Sequence, residues 1–290
     1  MRRYFEHHNC RAAALFTALV CAPFQQLACA QDDADSAAVA AASGVPSAAG
    51  PTQVGWRNQW GVGVIANPKF VGSDDYNITP IPYLDFRYFD ERGTRFFANV
   101  PQGLGGYAYR YRDRQAGTFV NIGGAIAPGF NVRDDSIYGL EEVERSVEAR
   151  LYLETGGRRW AASATLAQDL GSGHEGAYLD LSLALRGQLG QRGGFYAVGP
   201  VLRLGDENYK ESFFSVSAAE SISSGLPEYS ADAGVERLGV QGLASVPISG
   251  SKWRWTSILR VSQLIEDAGD SPIVTDETQL FFLTSFTRPF

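Results

Sequence analysis

His174 is the residue from which hydrolytic chemistry would have to start. The other two histidines precede residue 30, whereas His174 stands in a glycine-rich stretch beside Ser172 and Glu175. A catalytic histidine needs a serine within hydrogen-bond reach and an acid that orients its ring. Residues at a glycine-rich loop tip have no rigid support. We therefore predict a loop histidine, no catalytic residues and no enzymatic activity.

Carboxylates are the second kind of side chain that suggests a site. Asp74 and Asp75 are adjacent, but a calcium loop alternates several oxygen ligands, and we interpret the pair as solvated turn residues. A predicted external acidic patch contains Asp134, Asp135, Glu141, Glu142 and Glu144. It would either bind divalent cations that bridge lipopolysaccharide or keep its loop soluble. After residue 30 the chain has one histidine and no cysteine, which predicts no metal site and no cofactor.

A third group of charged side chains alternates with apolar residues. In residues 147–154 every second position is apolar, and the positions between carry charged or polar groups. This period of two is typical of a β-strand with one apolar face. A basic side chain that faces lipid at mid-bilayer costs about 2–4 kcal/mol, so we predict that the charges face the lumen of a barrel. They are Asp85, Arg87, Glu148, Arg150, Glu154, Asp180, Arg186, Arg203, Arg254 and Arg260.

The alternating segments predict an all-β fold, an antiparallel transmembrane β-barrel of about twelve strands. They lie near residues 58–68, 79–89, 94–101, 103–112, 117–128, 145–156, 158–170, 176–189, 194–205, 229–247, 252–265 and 277–290. The third, fourth and tenth segments alternate poorly, so ten strands are the alternative. Links after even-numbered strands are short and most links after odd-numbered strands are long, as in bacterial outer-membrane barrels. Charges of both signs would line a narrow channel or cross-link into a plug, and the sequence leaves both open.

The first 30 residues have the order of a secretory signal peptide. Three arginines form the basic start, residues 12–22 are apolar, and residues 28–30 (ACA) form a small-x-small cleavage site. Lipidation at Cys29 is an alternative. Residues 31–54 hold almost no large apolar side chain, which predicts a disordered periplasmic linker before a barrel at 55–290.

Charge and hydropathy exclude several classes of protein. Cleavage after residue 30 removes three arginines, one glutamate and every cysteine, and changes the formal net charge from −7 to −9. A negative chain without a basic run predicts no nucleic-acid partner. After residue 30 no stretch reaches the roughly 18–20 apolar residues of a membrane helix.

The last segment has the features of a barrel-assembly signal. Leu280, Phe282, Phe286 and Phe290 share one parity, and Phe290 ends the sequence. We predict that Phe282, Phe286 and Phe290 are read by the barrel-assembly machinery. Tryptophans near strand ends fit an interface girdle, so outer-membrane lipid and lipopolysaccharide are expected partners.

Several segments resemble the MltA-interacting protein family, also called MipA/OmpV. Residues 60–64 (WGVGV), 68–76 (PKFVGSDDY) and 80–88 (PIPYLDFRY) carry the resemblance, and residues 103–105 (GLG) and 224–229 (SGLPEY) match later landmarks. It spans essentially the whole mature chain, although Pro289 departs from the usual ending.

The resemblance implies an outer-membrane barrel. In the name-giving member it also implies a scaffold that joins a lytic transglycosylase to a bifunctional penicillin-binding protein, but no motif fixes the partner surface here. We expect a non-enzymatic scaffold for murein-synthesising and murein-cleaving enzymes in the cell outer membrane. The alternative is a narrow diffusion channel for small solutes, based on the charged lumen.

Overall fold

The computed structural model describes residues 54–129, 132–133, 139–191 and 193–290. Its twelve strands are β1 (Gly55–Pro68), β2 (Tyr76–Asp90), β3 (Gly93–Asn99), β4 (Gly103–Asp113), β5 (Thr118–Pro128), β6 (Val147–Gly156), β7 (Trp160–Asp169), β8 (Ala177–Leu189), β9 (Gly194–Gly205), β10 (Gly234–Pro247), β11 (Arg254–Leu264) and β12 (Thr278–Pro289). Each strand pairs with the next and β1 pairs with β12, which closes a barrel. All pairings are antiparallel. The predicted fold class and the count of twelve are confirmed.

The two faces of each strand differ in polarity. In β6, Glu148 and Arg150 are buried, whereas Leu151 and Leu153 are 63% and 44% exposed. The apolar side chains thus cover the outside of the barrel, which is the reverse of a soluble protein. Among the described residues no helix is both long and apolar enough to cross a membrane.

The barrel has two different rims. One end, the turn rim, is formed by short turns at residues 91–92, 114–117, 157–159 and 248–253 and by the described residues 190, 191 and 193. The start of β1 and the end of β12 also lie there. The other end, the loop rim, carries residues 69–75, 100–102, 170–176, 206–233 and 265–277, and from the β5–β6 link the described residues 129, 132–133 and 139–146. The predicted alternation of short and long links is confirmed.

Two helices in the link between β9 and β10 cover the mouth at the loop rim. Helix α1 (Glu207–Phe214) begins at Asp206, whose side chain accepts a hydrogen bond from the Tyr209 N–H. Helix α2 (Ala218–Ser224) begins with a capping box between Ser217 and Glu220. A short 3₁₀ turn (Glu266–Ala268) lies in the next long link. We call the 206–233 segment the lid.

An apolar cluster holds the lid on the barrel. Tyr209 and Phe214 of α1 are fully buried. They pack with side chains from strands and other loops, among them Val71, Val143, Ala167, Tyr178, Leu264 and Ala268. Because these residues come from links and strands all around the mouth, the lid is part of the folded core.

Side chains also fill the lumen below the lid. Phe97, Tyr107 and Tyr152 form an aromatic cluster on one side. On the other side Ile65, Leu243, Ile258, Phe281 and Leu283 form an apolar cluster. This apolar half of the lumen was not predicted from the sequence.

The link between β3 and β4 is the shortest on the loop rim, and among the described residues part of β2 has a neighbouring strand on its β1 side only. β2 pairs with β3 only from Asp85 onward, so within the described chain residues 76–84 pair with β1 alone. Pro80 and Pro82 lie in this part, and the pairing with β1 runs through both. Proline has no backbone N–H to donate. The backbone nitrogens of both prolines therefore face the unpaired edge of β2.

Two predictions about chain segments need comment. The tenth strand was predicted from residue 229, but β10 begins at Gly234. Tyr229 lies in the lid instead and forms a β-bridge with Val216. Its hydroxyl donates to the Asp267 carbonyl in the β11–β12 link. The predicted signal peptide at 1–30 lies outside the described residues, as does the predicted linker at 31–54 except for residue 54.

Candidate functional site

The predicted lumen charges cluster on the inner wall. Seven of them are buried: Asp85, Arg87, Glu148, Arg150, Glu154, Arg203 and Arg260. Asp180, Arg186 and Arg254 are half-buried. In a closed single sheet a buried strand side chain points inward.

One network joins β2 to the β3–β4 link. Arg87 Nε donates to both Asp85 oxygens, at 2.8 and 2.9 Å, and its Nη2 donates to Gln102 Oε1 at 2.7 Å. Gln102 is itself fully buried. The Gln102 carbonyl accepts from the Tyr152 hydroxyl at 2.8 Å. The network cross-links the wall and narrows the lumen.

A second network crosses β6. Arg150 donates to Glu148 at 2.7 Å and to the carbonyls of Pro101 and Pro128, each at 2.9 Å. Glu148 also accepts from the Tyr178 hydroxyl at 3.0 Å. Every charge in this network has a partner, as buried charges require.

A third network ties the wall to the lid. Arg203 pairs with Asp180 and donates from Nη1 to the Tyr209 hydroxyl of α1 at 3.1 Å. Buried Glu236 lies 3.9 Å from the same guanidinium group. One arginine therefore connects three strands and a helix.

The remaining predicted charges contact neutral groups. Glu154 accepts from the Tyr107 hydroxyl at 2.6 Å. The guanidinium groups of Arg186, Arg254 and Arg260 lie over the rings of Phe119, Phe195 and Phe281, at 5.6, 5.9 and 5.0 Å. Arg254 also donates to Ser245 at 3.2 Å.

Sequence reasoning missed two inward arginines at the turn rim. The pairing of β4 with β5 shifts between Tyr107 and Tyr109, so Tyr107 points inward and Arg110 and Arg112 again point inward below it. Arg110 binds Asp90 at 2.5 Å. The bulge breaks the period of two, which is why this segment alternated poorly.

His174 is not the unsupported loop residue that we predicted. It is 1% exposed and its ring packs edge-on against Tyr209 of α1, with 5.0 Å between ring centroids. Its Nδ1 accepts a backbone N–H, and its Nε2 lies 3.7 Å from Glu148 Oε1. In the described chain no serine hydroxyl hydrogen-bonds to the imidazole, and Ser172 is exposed. The surrounding contacts fit a packing role beneath the lid.

The acidic residues singled out from the sequence lie on the loop rim. Asp75 pairs with Lys69 at 2.6 Å, and both side chains are well exposed. Asp74 accepts from the Thr275 hydroxyl at 3.1 Å. Asp134 and Asp135 lie outside the described residues. Among the described residues, no three His, Cys, Asp or Glu side chains are grouped so that they could hold a metal ion.

Glu220 fastens the lid to the β5–β6 link. It accepts from the Glu141 N–H at 3.0 Å and the Ser217 N–H at 2.9 Å, and lies 3.6 Å from Arg133. Partial burial opposes ionisation, but the two N–H donors outweigh it and lower the pKa of Glu220 below its ordinary value.

The last strand presents Phe282, Phe286 and Phe290 to the outside. Phe286 and Phe290 are 44% and 64% exposed. Phe290 packs edge-on against Phe86, with 6.0 Å between centroids. These positions are accessible, as recognition by assembly machinery would require.

The two rims carry opposite charge. The described part of the turn rim has the basic residues Arg57, Arg92, Arg95, Arg110, Arg112, Arg114, Arg158, Arg159, Arg186, Lys252, Arg254 and Arg288, and the acidic residues Asp90, Glu91 and Asp113. Exposed carboxylates of the loop rim include Glu141, Glu142, Glu144, Glu207, Asp232 and Glu266. The turn rim is therefore basic although the chain as a whole has a net negative charge.

An apolar outer face, a closed antiparallel sheet and an inner wall that carries the buried charges define a transmembrane β-barrel of the outer-membrane type. A family model described as MltA-interacting protein MipA matches residues 60–290, and the chain belongs to that family. The family resemblance of the sequence is thereby confirmed. A comparison with curated proteins found no match.

Proposed function

We propose that this barrel lies in the outer membrane with its turn rim in the periplasm, and that it is a docking scaffold for murein enzymes. Family membership carries the proposal, because the family is described by its interaction with MltA, a lytic transglycosylase. A bifunctional penicillin-binding protein is the second enzyme that such a scaffold would hold. The barrel itself is not expected to catalyse a reaction.

The form of the barrel supports a docking role. Paired charges, an aromatic cluster and an apolar cluster occupy the lumen, and the lid covers its mouth at the loop rim. With both barrel ends at the turn rim, the usual orientation places that rim in the periplasm, where murein enzymes work.

Site-specific photo-crosslinking tests the docking role. A photoreactive residue at Lys252 on the turn rim is expected to capture a lytic transglycosylase in intact envelopes. The matched position is Ile222, which is 88% exposed on the lid and is expected to capture none. Absence of capture from Lys252, or equal capture from both positions, would contradict the proposal.

The alternative of a diffusion channel is tested by planar-bilayer recording. One cavity in the lumen, beside Glu154, Ser163, Ser182 and Arg186, has a volume of about 40 Å³. That is room for a few water molecules. We expect the purified barrel to be electrically silent, and a steady ion conductance would favour the channel instead.

A further inference from the structure

Five arginines form a patch on neighbouring turns of the turn rim. Arg112, Arg114, Arg158, Arg159 and Arg186 make up this arginine patch. Phe119 holds its two inward members together: it pairs with Arg112 across β4 and β5, and the Arg186 guanidinium group lies 5.6 Å from its ring centroid.

No carboxylate belongs to the patch: Glu154 lines the same cavity as Arg186, but it accepts from the Tyr107 hydroxyl and forms no ion pair with Arg186. Arg186 donates to the Gly157 carbonyl, and its Nη1 is buried without a hydrogen-bond partner. Arg158 donates to the Gln115 carbonyl at 2.7 Å. The nearest carboxylate in sequence, Asp113, accepts two backbone N–H groups of its own turn. In the described chain no ion pair involves a member of the patch. Like charges held together repel, and an anionic ligand would relieve that repulsion.

The direction of Arg112 and Arg186 argues against two other ligands, the headgroups of lipids and the surface of a folded protein. Both point inward, so they cannot reach the headgroups of lipids that surround the barrel. Beside Arg186 the wall carries small residues, among them Ala161, Ser163 and Ala184, which line the cavity. Side chains that point inward are more accessible to the end of a short flexible chain than to a folded protein surface.

We propose that the arginine patch binds the carboxylate-bearing stem peptides of murein. A guanidinium group matches a carboxylate through two parallel hydrogen bonds, and a stem peptide is a short flexible chain with free carboxylates. The assignment rests on the proposed function only for the periplasmic position of the turn rim. It adds the murein itself as a ligand of the scaffold.

Co-sedimentation of the full chain in detergent with isolated murein sacculi tests this site. The variant is Arg112→Gln with Arg186→Gln, and the matched control is Arg92→Gln with Lys252→Gln, which removes the same charge from the same rim. We expect the patch variant to bind at least about tenfold more weakly, because charge-assisted hydrogen bonds are lost, and the control to change less than about twofold. Glycan strands stripped of their peptides should not bind, and added salt should weaken the binding of sacculi.

Other outcomes overturn the proposal. Unchanged binding by the patch variant, equal loss in the control, or undiminished binding of peptide-free glycan would each do so. If sacculi bind normally while the patch variant loses transglycosylase capture at Lys252, the ligand is a protein instead. Arg112→Lys with Arg186→Lys keeps the charge and should retain part of the binding, which separates recognition from misfolding. Sacculus binding without transglycosylase capture would refute the scaffold and leave this site standing.

Discussion

Arg203 and Asp180 face each other on β9 and β8 and form two parallel hydrogen bonds, from Nε to Oδ1 at 2.6 Å and from Nη2 to Oδ2 at 2.7 Å. The third donor group of the same guanidinium reaches Tyr209 in α1. The Arg203 guanidinium group therefore hydrogen-bonds to both the barrel wall and the lid.

Asp180→Asn is expected to destabilise the barrel by about 1–3 kcal/mol, because Arg203 loses the carboxylate to which it makes two parallel hydrogen bonds and keeps the more distant Glu236, at 3.9 Å. Urea unfolding in detergent, followed by tryptophan fluorescence, measures the change. The control is Asp75→Asn, which breaks the exposed pair with Lys69 and should cost about 0–1 kcal/mol. Similar costs for the two variants would argue against a special role of the Arg203 pair.

Gly61 allows the barrel to close between β1 and β12. A Cβ at this position would collide with the Phe286 carbonyl oxygen and lie 2.9 Å from the Thr287 Cα. We expect Gly61→Ala to lower the yield of closed barrel, seen as loss of the heat-modifiable band on a gel. Gly242→Ala in β10 is the control, since no atom lies within 4 Å of its added Cβ. A Gly61→Ala protein with normal heat-modifiability would refute this account.

The low pKa of Glu220 makes the fastening of the lid dependent on pH. Its contribution is complete above the ordinary pKa of glutamate, about 4.3, and is lost as the pH falls through the lower pKa of the folded state. The protection factors of the Glu141 and Ser217 amides, which compare each exchange rate with the intrinsic rate at the same pH, should therefore fall at acidic pH. Glu220→Gln should weaken this dependence, whereas Glu142→Gln should preserve it. Protection factors of these two amides that do not change with pH in the wild type would disprove the prediction.

Phe290 is expected to act in assembly more than in stability. Its ring is 64% exposed, so Phe290→Ala should change the unfolding free energy of the refolded barrel little. In cells the same variant should lower the amount of barrel in the outer membrane severalfold. Leu280→Ala, on the same face of β12, is the control and should assemble normally. Equal losses in cells would remove Phe290 from the assembly signal.

The strands were predictable because one physical rule acts at every position. A side chain of β6 or β8 faces either lipid or a polar interior, and the sequence alternates accordingly. The rule fails at β4, where the bulge after Tyr107 keeps Arg110 and Arg112 inward. A periodic template cannot place an extra residue, so the arginine patch was missed.

The lid was not predictable for a different reason. Its contacts join distant parts of the chain, such as the Ser271 hydroxyl and the Phe214 carbonyl at 2.6 Å. The same distant contacts bury His174, which reads as a loop residue in the sequence. One local signal was available, because Ser217 and Glu220 form a capping box that marks the start of α2.

The two prolines of β2 bear on how this barrel behaves beside its neighbours. Any sheet with an open edge is a template on which a foreign strand can grow, and such growth leads to swapped dimers and fibres. At Pro80 and Pro82 the template lacks the N–H groups that an incoming strand would need. The short β3–β4 hairpin can therefore leave part of β2 unpaired on that side without offering an edge on which strands of other molecules could pair.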